Sequence, residues 1–194
     1  MTGLARRSGS PPREVLPRRE WNHAGGGIAQ GAWLRGAVQT LLSSRGAGWR
    51  SLGPASIAGA VVVPIVELDE KVVTARAQAG QAPALDRLSL RGRIEAGGVG
   101  AKSPVLDAAF VGVWGRAGLT PMARLGGYGR AVLMVARGEG VDPLELAECD
   151  WRGIGVASIG INGEIEWLVP STFQGTGKLT TMRYEQLLDL ALHK

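Results

Sequence analysis

The sequence predicts a mixed α+β domain with mostly antiparallel strands, preceded by a disordered basic arm. Three observations lead there. Residues 103–150 contain Ser103-Pro104, Thr120-Pro121 and Asp142-Pro143, each offering a side-chain oxygen at N-cap and a proline at N1. They predict a central three-helix segment. Residues 154–169 place two apolar runs on either side of Asn162-Gly163, the strongest short hairpin cue. Residues 57–76 place two β-branched runs around Asp69, Glu70 and Lys71, which reads as a second hairpin. A helical layer over one sheet would bury the apolar faces of both.

The 194 residues suit one domain over residues 21–194 behind an arm of residues 1–20. That arm has five Arg, two Glu, three Pro and two Gly around few apolar side chains, too few to offset the entropy of ordering it. Residues 101–194 carry nine basic against ten acidic side chains. The net charge of +5 therefore belongs to the first half. Cys149 is the one cysteine, which excludes an intrachain disulfide framework and fits a reducing compartment. With no apolar run long enough for a bilayer and no hydrophobic leader, a soluble cytoplasmic chain without a membrane partner is expected.

The elements follow in order. Ile28, Leu34, Val38, Leu41 and Leu42 recur at helical spacing, with Gly46 as the stop. Within the first hairpin, Pro64 argues for an edge strand or a bulge. Leu88, Leu90, Gly92 and Ile94 alternate with Ser89, Arg91, Arg93 and Glu95, which reads as a strand with one charged face. Val105, Leu106, Ala109, Phe110, Val113, Trp114 and Ala117 form a wide helical stripe. Met122, Leu125, Tyr128, Val132 and Val135 form a second one. Gly126, Gly127 and Gly129 interrupt that stripe, as close approach of another backbone requires. A short third helix opens at Asp142, with Glu145 completing a capping box. After the Asn-Gly hairpin, Pro170 stops the last strand. Tyr184, Leu187, Leu188, Leu190 and Leu192 then mark a terminal helix capped by Thr180 or Thr181.

No motif argues for catalysis or a cofactor. Residues 172–181 depart from a phosphate-binding loop at Thr172 and Leu179, where the first glycine and the magnesium-binding hydroxyl belong. Glu67, Asp69 and Glu70 form an acidic turn with no histidine close in sequence, and Cys149 has only His23 and His193 as potential bases. Ala136, Gly140, Val141, Leu146 and Cys149 approach helix–turn–helix spacing, but the reading helix would bring Asp142, Glu145 and Glu148 toward phosphates.

Six tryptophans against two Tyr and two Phe suit a core and also a contact surface. Trp114, Trp167 and Trp33 fall on or beside apolar stripes, whereas Trp151, between a helix end and a strand, suits exposure. The expected function is a non-catalytic binding or assembly protein acting through protein–protein contacts, possible self-association included. Trp151, Arg152 and Trp21 are its interface candidates. The alternatives are a nucleic-acid-associated protein using Arg6, Arg7, Arg13, Arg18 and Arg19, or an enzyme whose site is not visible in sequence.

The arm generates a test. If all five arginines engaged phosphate, log K would fall against log salt with a slope of roughly −4 to −5. Weak binding to a random duplex pool at low salt is expected, lost near physiological salt and abolished by deleting residues 1–20. Titration at two salt concentrations checks this.

Overall fold

A computed structural model of the chain describes residues 28–45, 48–85, 87–98, 102–172 and 178–192. The arm, with Trp21 and its five arginines, lies outside them, as do Gly46, His23 and His193. The described chain runs α1 (Ile28–Ser43), β1 (Trp49–Ser51), β2 (Ala55–Ile57), β3 (Ala60–Leu68), α2 (Glu70–Gln78) and α3 (Arg87–Ala96). It continues through β4 (Val105–Val113), α4 (Arg116–Ala123), β5 (Arg130–Ala136), α5 (Pro143–Trp151), β6 (Ile154–Ile159), β7 (Ile165–Val169) and α6 (Lys178–Leu192).

One seven-stranded sheet has the order β1-β3-β4-β5-β6-β7, with β2 pairing beside β1 on β3. The pairings of β1, β2 and β4 with β3, and of β7 with β6, are antiparallel; β4, β5 and β6 run parallel. The sheet is thus mixed and mostly antiparallel, as expected. One face packs Val62, Phe110, Leu133 and Val156 against α4, α5 and α6 through Leu119, Met122, Cys149, Tyr184 and Leu188. The other packs Ile65, Val111, Met134 and Ala157 against Leu34, Val38 and Leu41 of α1. Among the described residues α1 is the one helix contributing to that second core.

The central three-helix segment is corrected to strand, helix, strand, helix. Residues 105–113 are β4, not a helix. The strand is covered on both faces, with Ala108, Ala109, Phe110 and Val111 all inaccessible to solvent. A strand buried on both sides loses its alternation and reads as a continuous apolar run, which helical spacing fits by accident. Ser103 does not cap a helix. Its hydroxyl accepts from the Val105 amide at 3.2 Å and donates to the Val105 carbonyl at 3.0 Å, a local turn that feeds β4. Thr120-Pro121 falls inside α4 rather than opening a helix. The second expected stripe is divided between the end of α4 and β5. The glycines between them occupy tight turns, in which the amides of Leu125 and Tyr128 reach the carbonyls of Met122 and Leu125. Of the three, Gly129 serves close backbone approach: a Cβ there would lie 2.6 Å from the Ala108 carbonyl oxygen and 2.8 Å from the Phe110 ring. The third helix stands as expected, as α5.

The first expected hairpin is also corrected. Asp69 is not in a hairpin turn. Its carboxylate accepts from the amides of Lys71 and Val72 at 3.0 and 3.2 Å and opens α2, so residues 72–76 are helical. The real hairpin lies one strand earlier, between β2 and β3, where Ala58 and Gly59 both have positive φ (53° and 80°), as a tight primed turn requires. Pro64 lies in an interior strand. The Leu52 amide donates to its carbonyl at 2.8 Å. Because a strand residue aims its N–H and C=O to the same side, the missing N–H of Pro64 faces the break between β1 and β2. Residues 87–96 form α3 rather than a charged strand. Strong helix formers and an Arg91–Glu95 pair at 2.6 Å favour it, and Leu90 is its one buried apolar side chain.

The Asn162-Gly163 hairpin is present, with β6 and β7 antiparallel. Its turn differs in kind from the two-residue type. Gly163 donates to the Gly160 carbonyl at 3.0 Å, Gly160 donates to the Glu164 carbonyl at 2.9 Å, and Gly163 alone of the loop has positive φ, at 77°. This is the three-residue loop closed by a glycine bulge. α6 begins at Lys178, so neither Thr180 nor Thr181 is its cap.

Glu185 holds the helical layer together. It is fully buried on α6, with Oε1 2.8 Å from Arg76 Nη1 on α2 and Oε2 3.1 Å from Arg93 Nη1 on α3. The same Oε2 accepts the Ala84 amide at 2.9 Å. Arg93 reaches on to the Ala82 carbonyl. A buried carboxylate persists only when its charge is offset by such neighbours.

Gly129→Ala forces a Cβ into the Ala108 carbonyl and should lower stability by about 1–3 kcal/mol. Gly127→Ala, which meets nothing within 4 Å, should change it little. Urea denaturation midpoints of the two variants check the contrast.

Candidate protein-binding face

The α5 helix is built by strong local signals. Asp142 has extended φ and ψ (−67°, 126°), and its Oδ1 accepts from the Leu144 amide at 2.9 Å. Pro143 occupies the first turn, where a missing N–H costs nothing, and Glu145 adds negative charge at the positive end of the helix dipole. The helix ends at Trp151, and Gly153, with φ of 69° and its amide donating to the Asp150 carbonyl at 3.0 Å, turns the chain into β6. A side chain there would strike Thr172 Oγ1 at 2.7 Å.

Two apolar faces follow from this short sequence. Cys149, with the partly buried Leu146 and Val141, points into the core. At 100° per residue, Leu144, Ala147 and Trp151 fall on the opposite side. Leu144 is 78% and Trp151 84% exposed, and Ala147 is exposed as well. The spacing of three and four is that of a short coiled-coil seam. Around it, residues 138–151 hold Glu139, Asp142, Glu145, Glu148 and Asp150 and no Lys or Arg. Arg152, one residue beyond, turns back to Glu148 at 2.6 Å.

α5 also packs on β6 and β7. Among the described residues no strand pairs with the outer edge of β7. Leu168 and Trp167 of β7 are about two-fifths exposed, at 38% and 40%. That corrects the expectation of a buried Trp167: it shares its face with Ala157 but lies on the edge strand, where part of its ring stays open to solvent. Trp33 packs partly buried beside the α1 core, as expected, and Trp114 is partly buried against the other core.

Of the interface candidates, Trp151 lies on this face. Arg152 lies at its end and is occupied with Glu148. Trp21 falls outside the described residues, as do Arg6, Arg7, Arg13, Arg18 and Arg19. Leu144 and Ala147 were missed; their signal was the i, i+3, i+7 relation to Trp151, opposite Leu146 and Cys149.

The other candidate chemistry disperses. The helix–turn–helix spacing fails because Ala136 ends a strand. Of the acidic turn, Asp69 caps α2 and Glu70 pairs with Arg50 at 2.5 Å. Glu67 stands across the ladder from Asp107, which pairs with Arg130 at 2.9 Å. Among the described residues no three His, Cys, Asp or Glu side chains gather as a metal site. No described helix is long and apolar enough to cross a membrane. A groove of about 490 Å³ opens between α1 and the ends of β5 and β6, lined by Trp33, Ala37, Thr40, Ala136 and Ile159. Its polar neighbours are engaged: the Thr40 hydroxyl donates to the Gly36 carbonyl at 3.1 Å, and Arg137 spans Glu164 and Glu166 at 2.9 and 3.1 Å. Comparison with protein-family models, with curated proteins and with solved structures finds no match.

Cys149 reports on the seating of α5. Burial first, then the charges of Glu148 and Glu145, push its thiol up to about 11, against an opposite pull from Arg152. The folded state thus holds the proton more tightly than the unfolded chain. That stability is present below about pH 8.5 and fades as pH rises toward 11, by about 2–3 kcal/mol in all. The wild-type urea midpoint should therefore fall more between pH 8.5 and 11 than that of Cys149→Ala, which lacks the titrating group.

Proposed function

We propose that the chain is a non-catalytic binding or assembly protein that docks a protein partner on the outward face of α5. The observation that carries this reading is the exposure of Leu144 and Trp151 on one side of a helix whose other side already belongs to the core. A helix apolar on two opposite sides is a helix meant to be covered on both. Covering Leu144 alone would contribute about 1.5–3 kcal/mol, and Trp is among the side chains that dominate interface energetics. The neighbouring β7, with whose outer edge no described strand pairs, offers room for the contact to extend.

Photo-crosslinking tests the reading. With a photoreactive residue at position 147, extract of the source organism should yield a discrete adduct. The adduct should disappear in the Leu144→Ala/Trp151→Ala variant. The same probe at exposed position 139 is the reference, and labelling at 147 no stronger than at 139 would refute the assignment.

A further inference from the structure

Resting on that reading of α5, we infer that the partner is a basic amphipathic helix, with an apolar seam flanked by Lys or Arg. Shape supplies the first argument. Leu144, Ala147 and Trp151 form a ridge two turns long on a convex helical surface, not a pocket. Ridges of this spacing pack against the groove of a second helix, and a–d–a positions are met by the a and d positions of the partner.

Charge supplies the second. The chain as a whole carries +5, yet residues 138–151 hold five carboxylates and no Lys or Arg. At 100° per residue, Glu148 and Asp150 flank the ridge on its two sides, where e and g residues of a helix pair meet. Arg152 neutralises Glu148 in part, at 2.6 Å; Asp150 is exposed. A partner with basic flanks would gain from each meeting, and an acidic one would lose by similar amounts. The same charge disfavours a second copy of this chain on the same face, because a two-fold α5–α5 contact sets these carboxylates against their own copies.

The probes are two designed helical peptides that share a leucine seam of three heptads. One carries Lys at every flanking position and the other carries Glu. Fluorescence anisotropy with the full chain should show the Lys peptide binding about tenfold tighter than the Glu peptide, which corresponds to about 1.4 kcal/mol. The margin should narrow as salt rises. Glu148→Lys/Asp150→Lys should reverse the preference, and Leu144→Ala/Trp151→Ala should abolish binding of both peptides. Circular dichroism establishes that each variant is folded; should the double alanine variant unfold, Ala147→Lys places a charge in the ridge instead.

Equal affinity for the two peptides, abolished by the ridge variant, would overturn the basic partner and leave the binding face in place. A salt-sensitive Lys-peptide complex that the ridge variants do not weaken would put the peptide elsewhere and overturn the inference. A dimer of the full chain in sedimentation velocity that Leu144→Ala/Trp151→Ala dissociates would also overturn it, by making a second copy the occupant. If neither peptide binds while the crosslink at position 147 forms, the inference alone fails; if the crosslink is absent too, the reading beneath it fails with it.

Discussion

The fold depends on one constraint: β4, β5 and β6 run through the middle of the sheet and must be covered on both faces. Ala131, Val132, Leu133 and Met134 are all inaccessible in β5, and Phe110 and Val111 in β4. Parallel strands joined by helical crossovers bring that cover with them on one side. Here α4 and α5 are those crossovers, and they pack on the same face. The opposite face receives no helix from the crossovers. It is served by α1, which arrives from the other end of the sequence. Seating α5 is therefore a by-product of covering β6, and its second apolar side remains over after that task is done.

The helices that do not cross between parallel strands are held differently. α2 and α3 bring little apolar surface of their own; Val73 and Leu90 are what they bury. Glu185 compensates by gathering an arginine from each and the Ala84 amide of the connecting loop. Such an arrangement is strict in geometry and intolerant of losing one member, because the remaining charges would stay buried. Two short polar helices are thus fixed by a single carboxylate that lies a hundred residues away in the chain.

Legibility in the sequence followed the range of the deciding interactions. α1, α5, the β6–β7 hairpin and α6 were readable, because Leu34 to Leu42, Asp142-Pro143, Asn162-Gly163 and Tyr184 to Leu192 carry their signals within a turn or two. The middle was not. In β4 the side chains of two opposite faces are both apolar, so period two vanishes and Ser103-Pro104 imitates a helix start. Asp69 can open a helix or fill a turn, and only its bonds to Lys71 and Val72 decide. In α3 the alternation of Leu90 and Ile94 with arginines was coincidental, since contact with Glu185 determines the placement of Arg93. For the α5 face, Trp151 was legible by its position at a helix end. Leu144 was not, because a leucine in an apolar pattern reads as core until the direction of the core is known.

The lone cover on the second face has a consequence for how the chain is made. Residues of α1 are synthesised before most of their packing partners: Leu34, Val38 and Leu41 pack against Val132, Met134 and Ala157, which follow much later in the chain. At ordinary elongation rates the gap is on the order of ten seconds. Until β5 and β6 emerge, the apolar side of α1 lacks most of the strands it covers. Translation speed and access to a chaperone that shields such a face would then bear on the yield of native protein.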